Sequence, residues 1–317
     1  MTVHVISVGV SVLEHLKEPG SYLEDKRRIA REIERREPWR LLHKADAHRH
    51  GDDASGWLAS ALATAEDPGY DAGTAKRLAE IAHAIQPGQW PDEFSAELET
   101  FGRAHDAGRP LSRSDIAVLV CSDTAQGLLA GLWDATALAR GELGDVRYMA
   151  DPGELLPDLR GKAVLVRVPG LDAGREEGFR RAMRGLGVFG RNLLDSGQIT
   201  DEEGFRFYLS GGFKAAIPYL IGLAEGLASL PEAGQVDAYV LHDSGREYPP
   251  IKLPLRRVVP ERVQNELKGL SEQPSQTEPP SDYLDGYAYL KTSDGWVLTP
   301  FGAGLKALFK RPPPGLT

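Results

Sequence analysis

The residues best placed to do chemistry are Ser210, Gly211, Gly212 and Lys214, which stand between an apolar run, Phe205–Leu209, and an apolar helical stretch from Ala215 to about Leu227. A strand, a glycine turn and a helix in that order present backbone N–H groups to an anion. First-turn amides lack an intrahelical partner, and the helix dipole favours negative charge there. Gly211 and Gly212 let the backbone come close to a ligand, and Lys214 adds a mobile point charge. The implied chemistry is phosphate binding. The same junction also serves as a plain tight turn in α/β proteins, so the argument needs more than one such turn.

Two further turns supply it. Val3–Val8 is a β-branched run closed by Gly9 and followed by Val10, Ser11 and a helical start. Ser11 either caps that helix or turns its hydroxyl onto a ligand. Ile116–Cys121 is apolar throughout, as a strand covered on both faces would be, and it ends in Ser122-Asp123-Thr124 before a helix from Gln126 to about Arg140. Val146–Met149, Ala163–Val168 and Val236–His242 read as further strands. A helix from about Glu176 to Asp195 carries Arg180, Arg181, Arg184 and Arg191, which with Arg175 are expected to be mostly solvated. Strands alternating with helices predict an open, mostly parallel α/β sheet, in which ligands bind beyond the carboxyl ends of the strands. All three turns fall on that edge. No G-x-G-x-x-G follows any of these strands, which weighs against a dinucleotide site.

The elements that must hold these turns are drawn from 317 residues, 41% hydrophobic and 26% charged, ordinary for one large or two smaller soluble domains. No apolar run is long enough to span a membrane and the N-terminus has no leader pattern, so a cytoplasmic protein is expected. Cys121 is the single cysteine, which excludes an internal disulfide and a cysteine zinc site. A net charge of −9 opposes broad binding to long nucleic acid but leaves room for a small anion in a local basic pocket. His43, His48 and His50 lie beside Asp46, Asp52 and Asp53 without metal-ligand spacing, and neither a metal nor a cofactor is expected.

Leu23–Leu42 reads as a charged, solvated helix. A helical insertion spans about residues 44–109, with helices near Ala54–Ala65, Thr74–Ile85 and Asp92–His105. After the Pro-rich segment Pro249–Pro260 come a helix at Glu261–Leu270 and a Pro, Ser and Gln linker from about Gln273 to Ser281. A hairpin around Ser293-Asp294-Gly295 and a helix from Pro300 to Phe309 complete a small winged-helix-like module in residues 256–317. Its few basic residues, Lys306, Lys310 and Arg311, lend little support to DNA binding, and a dimerisation or lid role fits at least as well.

Taken together, V-G-x-S-V-L at Val8–Leu13, C-S-D-T-A-x-G at Cys121–Gly127, S-G-G-F-K-A-A-I-P-Y-L at Ser210–Leu220 and I-K-L-P at Ile251–Pro254 resemble the CARF proteins of type III CRISPR systems. They are most similar to the group that includes stand-alone ring nucleases. The resemblance covers roughly residues 1–255. It implies a Rossmann-like domain that forms a homodimer around a cyclic oligoadenylate, usually the tetra-adenylate. Antiviral signalling is then switched off by metal-independent cleavage to linear products with a 2′,3′-cyclic phosphate. By the same resemblance Lys214 stabilises the developing charge and Ser11 positions the 2′-OH or the phosphate. Gly9, Val10, Ser122, Asp123, Thr124, Ser210, Gly211, Gly212 and Phe213 would line the ligand.

Two positions depart from the pattern: Ser210 stands where threonine is usual, and Val10 where a hydroxyl residue is common. After Lys214 the only histidine is His242, expected in a strand, so the R-x4–6-H ribonuclease motif of many CARF effectors is not expected. The alternatives are a non-enzymatic sensor acting through the C-terminal module on DNA or a protein partner, and an unrelated nucleotide-dependent α/β enzyme.

Overall fold

The computed structural model describes residues 1–15, 51–63, 69–73, 75–76, 78–79, 95–105, 111–154, 158–171, 176–199, 204–212, 214–241 and 248–310. The expected helices at Leu23–Leu42 and at most of Thr74–Ile85, and His43, His48, His50, Arg175, Phe213 and His242, lie outside them. Strands β1 (Thr2–Ser7), β2 (Ile116–Ser122), β3 (Val146–Met149), β4 (Ala163–Val168), β5 (Gly204–Tyr208), β6 (Gln235–Val240) and β7 (Ile251–Leu253) form one sheet in the order β3-β4-β2-β1-β5-β6-β7. Every pairing is parallel except that of β7, which closes the edge antiparallel to β6. Ile116–Cys121 are all buried, as expected of a central strand covered by helices on both faces. The architecture is a Rossmann-like α/β fold.

Helices α1 (Ser11–His15), α2 (Gly51–Ala61), α3 (Ala96–Ala104) and α4 (Ala125–Leu138) bury one face of the sheet. On the other face lie α5 (Glu176–Asp195), α6 (Ile217–Ala228), α7 (Pro260–Leu267) and α8 (Pro300–Leu308). The helices of the expected insertion are therefore built into the domain: Leu58 of α2 and Leu98 and Phe101 of α3 are fully buried in the same core as β1 and β2. α3 lies against β1, β5 and β6 on the chain's way from β1 to β2. Asp52 of α2 pairs with Arg167 of β4, and Tyr148 of β3 donates to Ser55 at 2.6 Å, seating α2 near the carboxyl ends of those strands.

The arginines of α5 correct the expectation of solvated side chains in two cases. Arg180 pairs with Glu176 at 2.6 Å and Arg191 with Glu232 at 3.0 Å, both side chains largely covered, whereas Arg184 stays mostly exposed beside Glu272. The amphipathic stripe of α5, with Phe179, Met183, Leu186 and Phe189 buried, faces both the sheet and α8. At the crossing of these helices Gly187 meets Gly304. A Cβ on Gly187 would fall 2.1 Å from the Gly304 carbonyl oxygen, so glycine sets how closely they pack.

The C-terminal residues form the expected hairpin, β8 (Tyr289–Thr292) with β9 (Gly295–Leu298), followed by α8. The segment expected as a linker is stitched down. Ser275 and Trp296 exchange two backbone hydrogen bonds of 2.8 Å. The buried Glu266 carboxylate accepts from the Ser281 hydroxyl, the Tyr283 N–H and the Tyr289 hydroxyl at 2.7 to 2.9 Å. Leu284, Tyr289, Leu305 and Leu308 belong to the core shared with β1 and β5, so this module packs directly on the domain. Among the described residues no helix is long and apolar enough to cross a membrane.

Candidate functional site

β1 and β5 are neighbours, yet the chain continues from β1 towards β2 on one side and from β5 towards β6 on the other. The region beyond the carboxyl ends at such a reversal is the usual ligand site of these sheets. The register Ile6 to Tyr208 brings the turns that follow the two strands side by side. Ser7 locks them together, its hydroxyl 2.7 Å from the Gly211 carbonyl oxygen and 3.2 Å from that of Tyr208. A Cβ on Gly9 would lie 2.5 Å from the backbone nitrogen of Gly212, so only glycine permits this contact. Gly212 adopts φ +92°, a conformation that L side chains rarely take.

Into this junction comes Glu97, in the first turn of α3, with only 1% of its surface exposed. Its Oε1 accepts the Gly9 N–H at 2.6 Å and its Oε2 accepts the Ser11 hydroxyl at 2.8 Å. Ser11 Oγ in turn accepts the Ala96 N–H at 3.3 Å. The side chain runs over bare backbone, since a Cβ on Gly211 would fall 2.1 Å from Oε1. A backbone N–H and a hydroxyl that both donate to one carboxylate constitute a small oxyanion site. Ser11 thus turns its hydroxyl onto Glu97 and the Ala96 amide.

Lys214 opens a short 3-10 turn, Lys214–Ala216, ahead of α6 and is exposed; among the described residues it forms no ion pair. Val10, 39% exposed, sits between Gly9 and Ser11. The Ser210 hydroxyl accepts the Leu241 N–H at 2.7 Å, tying the ends of β5 and β6. In the third turn, Thr124 caps α4 by accepting the Gly127 N–H at 3.0 Å, and the Ser122 and Thr124 hydroxyls lie 2.9 Å apart. Asp123 accepts the Gly170 N–H at 2.9 Å. The first residue of α2 lies over this turn, a Cβ on Gly51 falling 1.7 Å from the Asp123 carbonyl oxygen. The structure thus joins Gly9, Ser11, Gly211 and Gly212 in one place, while the side chains of Ser122, Asp123 and Thr124 hold the α4 junction together.

Sequence reasoning missed Glu97 and Ser7. Glu97 lies within the expected helix Asp92–His105, but its partners are 86 and 88 residues away, and nothing local distinguishes it from a surface glutamate. It also has a buried acidic neighbour. Burial, with the charge of Glu97, holds Asp134 of α4 well above the ordinary carboxylate range, against a smaller opposing pull from the Ser95 hydroxyl. The folded state keeps Asp134 protonated at pH values where the unfolded chain has released that proton. Stability is therefore lost as pH rises from the ordinary carboxylate range to the raised value. Asp134→Asn is expected to raise the melting temperature relative to wild type by an amount that grows with pH above about 4; a pH-independent difference in thermal melts would contradict this.

At the opposite, amino-terminal end of the strands, His4, His105 and Asp115 bring their ring nitrogens and carboxylate within 4.8 Å of one another. His4 Nδ1 lies 2.9 Å from the Tyr208 hydroxyl and Nε2 3.6 Å from Asp115, whose carboxylate accepts the Thr2 N–H at 2.7 Å. Burial pulls the His4 pKa down to about 4, against the opposing pull of Asp115, so the imidazole is neutral near pH 7. Burial alone would raise Asp115, yet hydrogen bonds from His4 and the Thr2 N–H hold it below the usual carboxylate range. The group ties β1 to β5 and to the start of β2. No protein-family model matches this chain, and no curated protein is detectably similar to it.

Proposed function

We infer that the chain is a ring nuclease of the CARF type, a homodimer that binds cyclic oligoadenylate, the tetra-adenylate above all, and cleaves it to linear products. The observation that carries this reading is the contact of two glycine turns at the switch point, with an oxyanion held by the Gly9 N–H and the Ser11 hydroxyl. The motif resemblance supplies the identity of the ligand. A ring of four identical nucleotides has two-fold symmetry, so a two-fold dimer offers each turn once to each half of the ring.

In the inferred reaction a ribose 2′-oxygen attacks its own 3′-phosphodiester and the bond from phosphorus to the 5′-oxygen breaks. The 2′-proton ends on that leaving oxygen, leaving a 2′,3′-cyclic phosphate and a 5′-hydroxyl. Ser11 holds a non-bridging phosphate oxygen or the attacking hydroxyl, and the Gly9 amide binds the phosphate. Lys214, two residues beyond Gly212, supplies positive charge as the phosphorane forms. Positioning and preorganised charge are sufficient for such a step.

The test is incubation of the protein with labelled cyclic tetra-adenylate in excess EDTA. Conversion to linear products ending in a cyclic phosphate is the expected result. Binding of an intact ring would instead favour the second reading, a sensor. One observation supports that alternative: α6 starts three residues after Lys214 and packs on α8, with Gly226 set against Leu305 and Leu308. In that reading a shift of the glycine turn would pass through α6 to a winged-helix-like C-terminal module that contacts DNA or a protein partner.

A further inference from the structure

The Gly9 N–H and the Ser11 hydroxyl are not free in this structure, because a side chain of the same protein already accepts from both. The Glu97 carboxylate has two oxygens sharing one negative charge, each accepting a separate donor, at 2.6 Å from the Gly9 N–H and 2.8 Å from the Ser11 hydroxyl. A phosphodiester has the same recognition chemistry, two non-bridging oxygens sharing one negative charge, and calls for the same donors. Gly211 contributes the third feature. A Cβ there would fall within 2.3 Å of three atoms of the Glu97 side chain, so this wall is bare backbone and leaves the space that the side chain now fills.

We propose that the Gly9 N–H and the Ser11 hydroxyl form a phosphodiester subsite that the Glu97 carboxylate occupies as an internal competitor, so that the first turn of α3 must withdraw Glu97 before a phosphodiester can bind. The nature of the external ligand rests on the reading given under Proposed function; the occupied subsite itself rests on the contacts of Glu97. Two anions cannot share these donors. Like charges at hydrogen-bonding distance repel, and the subsite offers one N–H and one O–H. The apparent affinity for the ligand is then the intrinsic affinity multiplied by the fraction of molecules in which Glu97 has withdrawn. A purely structural role predicts the opposite effect, since removing the carboxylate would leave the turns without their brace and weaken binding.

The experiment is calorimetric titration of wild type, Glu97→Gln and Ser11→Ala with cyclic tetra-adenylate and, separately, with inorganic phosphate. Glu97→Gln keeps the size of the side chain but removes its charge and exchanges one of its two acceptor oxygens for an NH2 donor. It is expected to bind the ring about tenfold or more tightly than wild type, and Ser11→Ala more weakly than Glu97→Gln. Equal or weaker binding of the ring by a folded Glu97→Gln would overturn the competitor while leaving the ring as the ligand. Failure of every form to bind the ring, with phosphate binding gained in Glu97→Gln, would keep the subsite and remove the ring reading. No binding of either anion by any form would overturn both. Should Glu97→Gln fail to fold, hydrogen exchange on wild type decides: the ring must increase exchange across Ala96–Ala104, and unchanged or slower exchange there overturns the proposal.

Discussion

Lys214→Ala is expected to slow cleavage of cyclic tetra-adenylate by roughly 10²–10³-fold, the loss typical of removing one preorganised group that stabilises developing charge. Lys214 stands at the end of the glycine turn, exposed and with no carboxylate paired to it among the described residues. Because the phosphorane carries more charge than the bound phosphodiester, the ammonium acts more strongly in the transition state than in the ground state. The effect should therefore fall mainly on kcat, with KM changing little. Lys214→Arg retains the charge but changes a compact ammonium into a planar fork, and it should recover only part of the rate. Single-turnover rates of the three proteins provide the check; turnover in Lys214→Ala equal to wild type would remove Lys214 from the mechanism and with it the charge-stabilisation argument.

Gly9→Ala is expected to lower stability by about 1–3 kcal/mol, the usual effect of forcing an added group into closely packed structure, and to abolish ring binding. The added Cβ would sit 2.5 Å from the Gly212 backbone nitrogen and 2.8 Å from Glu97 Oε1. The nearer obstacle is backbone held by the Ser7 hydroxyl through the Gly211 carbonyl, so it has no rotamer by which to move aside. The turns must separate, and the alignment of the Gly9 N–H with any oxyanion is lost with them. Gly56→Ala is the control. That glycine lies in the exposed part of α2 with open space around it, and alanine there should stabilise by up to ~1 kcal/mol through helix propensity. Urea midpoints and ring titrations on both variants test the pair; a Gly9→Ala midpoint equal to wild type would mean that the two turns are not mechanically joined.

Much of the sheet was legible before any coordinates. Val146–Met149, Ala163–Val168 and the helix Glu176–Asp195 coincide with their expected bounds, and β1, β2, β5 and β6 agree within one or two residues, whereas β7 lies in what was expected to be only a Pro-rich segment. Apolar runs, helical periodicity and Gly or Pro punctuation are local signals, and these elements depend chiefly on local pattern and burial. The helical insertion was less legible. Its helices were expected, but the burial of Phe101 and Leu58 beneath β1 and α4 depends on the path of the chain. Arg191 illustrates the same limit: Asp195, like Glu176 for Arg180, lies four residues away on the same helix and is a local pair, but nothing local signals that Glu232 will cover it.

By itself the sequence determined the order of most strands and helices, the positions of the glycine turns and, with its single cysteine, that no internal disulfide can form, since each depends on residue type and near-neighbour spacing. Only the tertiary structure decided which turns meet. Ser7 is bonded to a carbonyl 204 residues away, Glu97 reaches Gly9 and Ser11 across 88 and 86 residues, and the C-terminal hairpin packs into the core of the sheet. The physical reason is that an oxyanion site needs donors and acceptor placed to within a few tenths of an ångström. The β1–β5 pairing and the packing of α3 set those positions, and neither is encoded in any short stretch of chain.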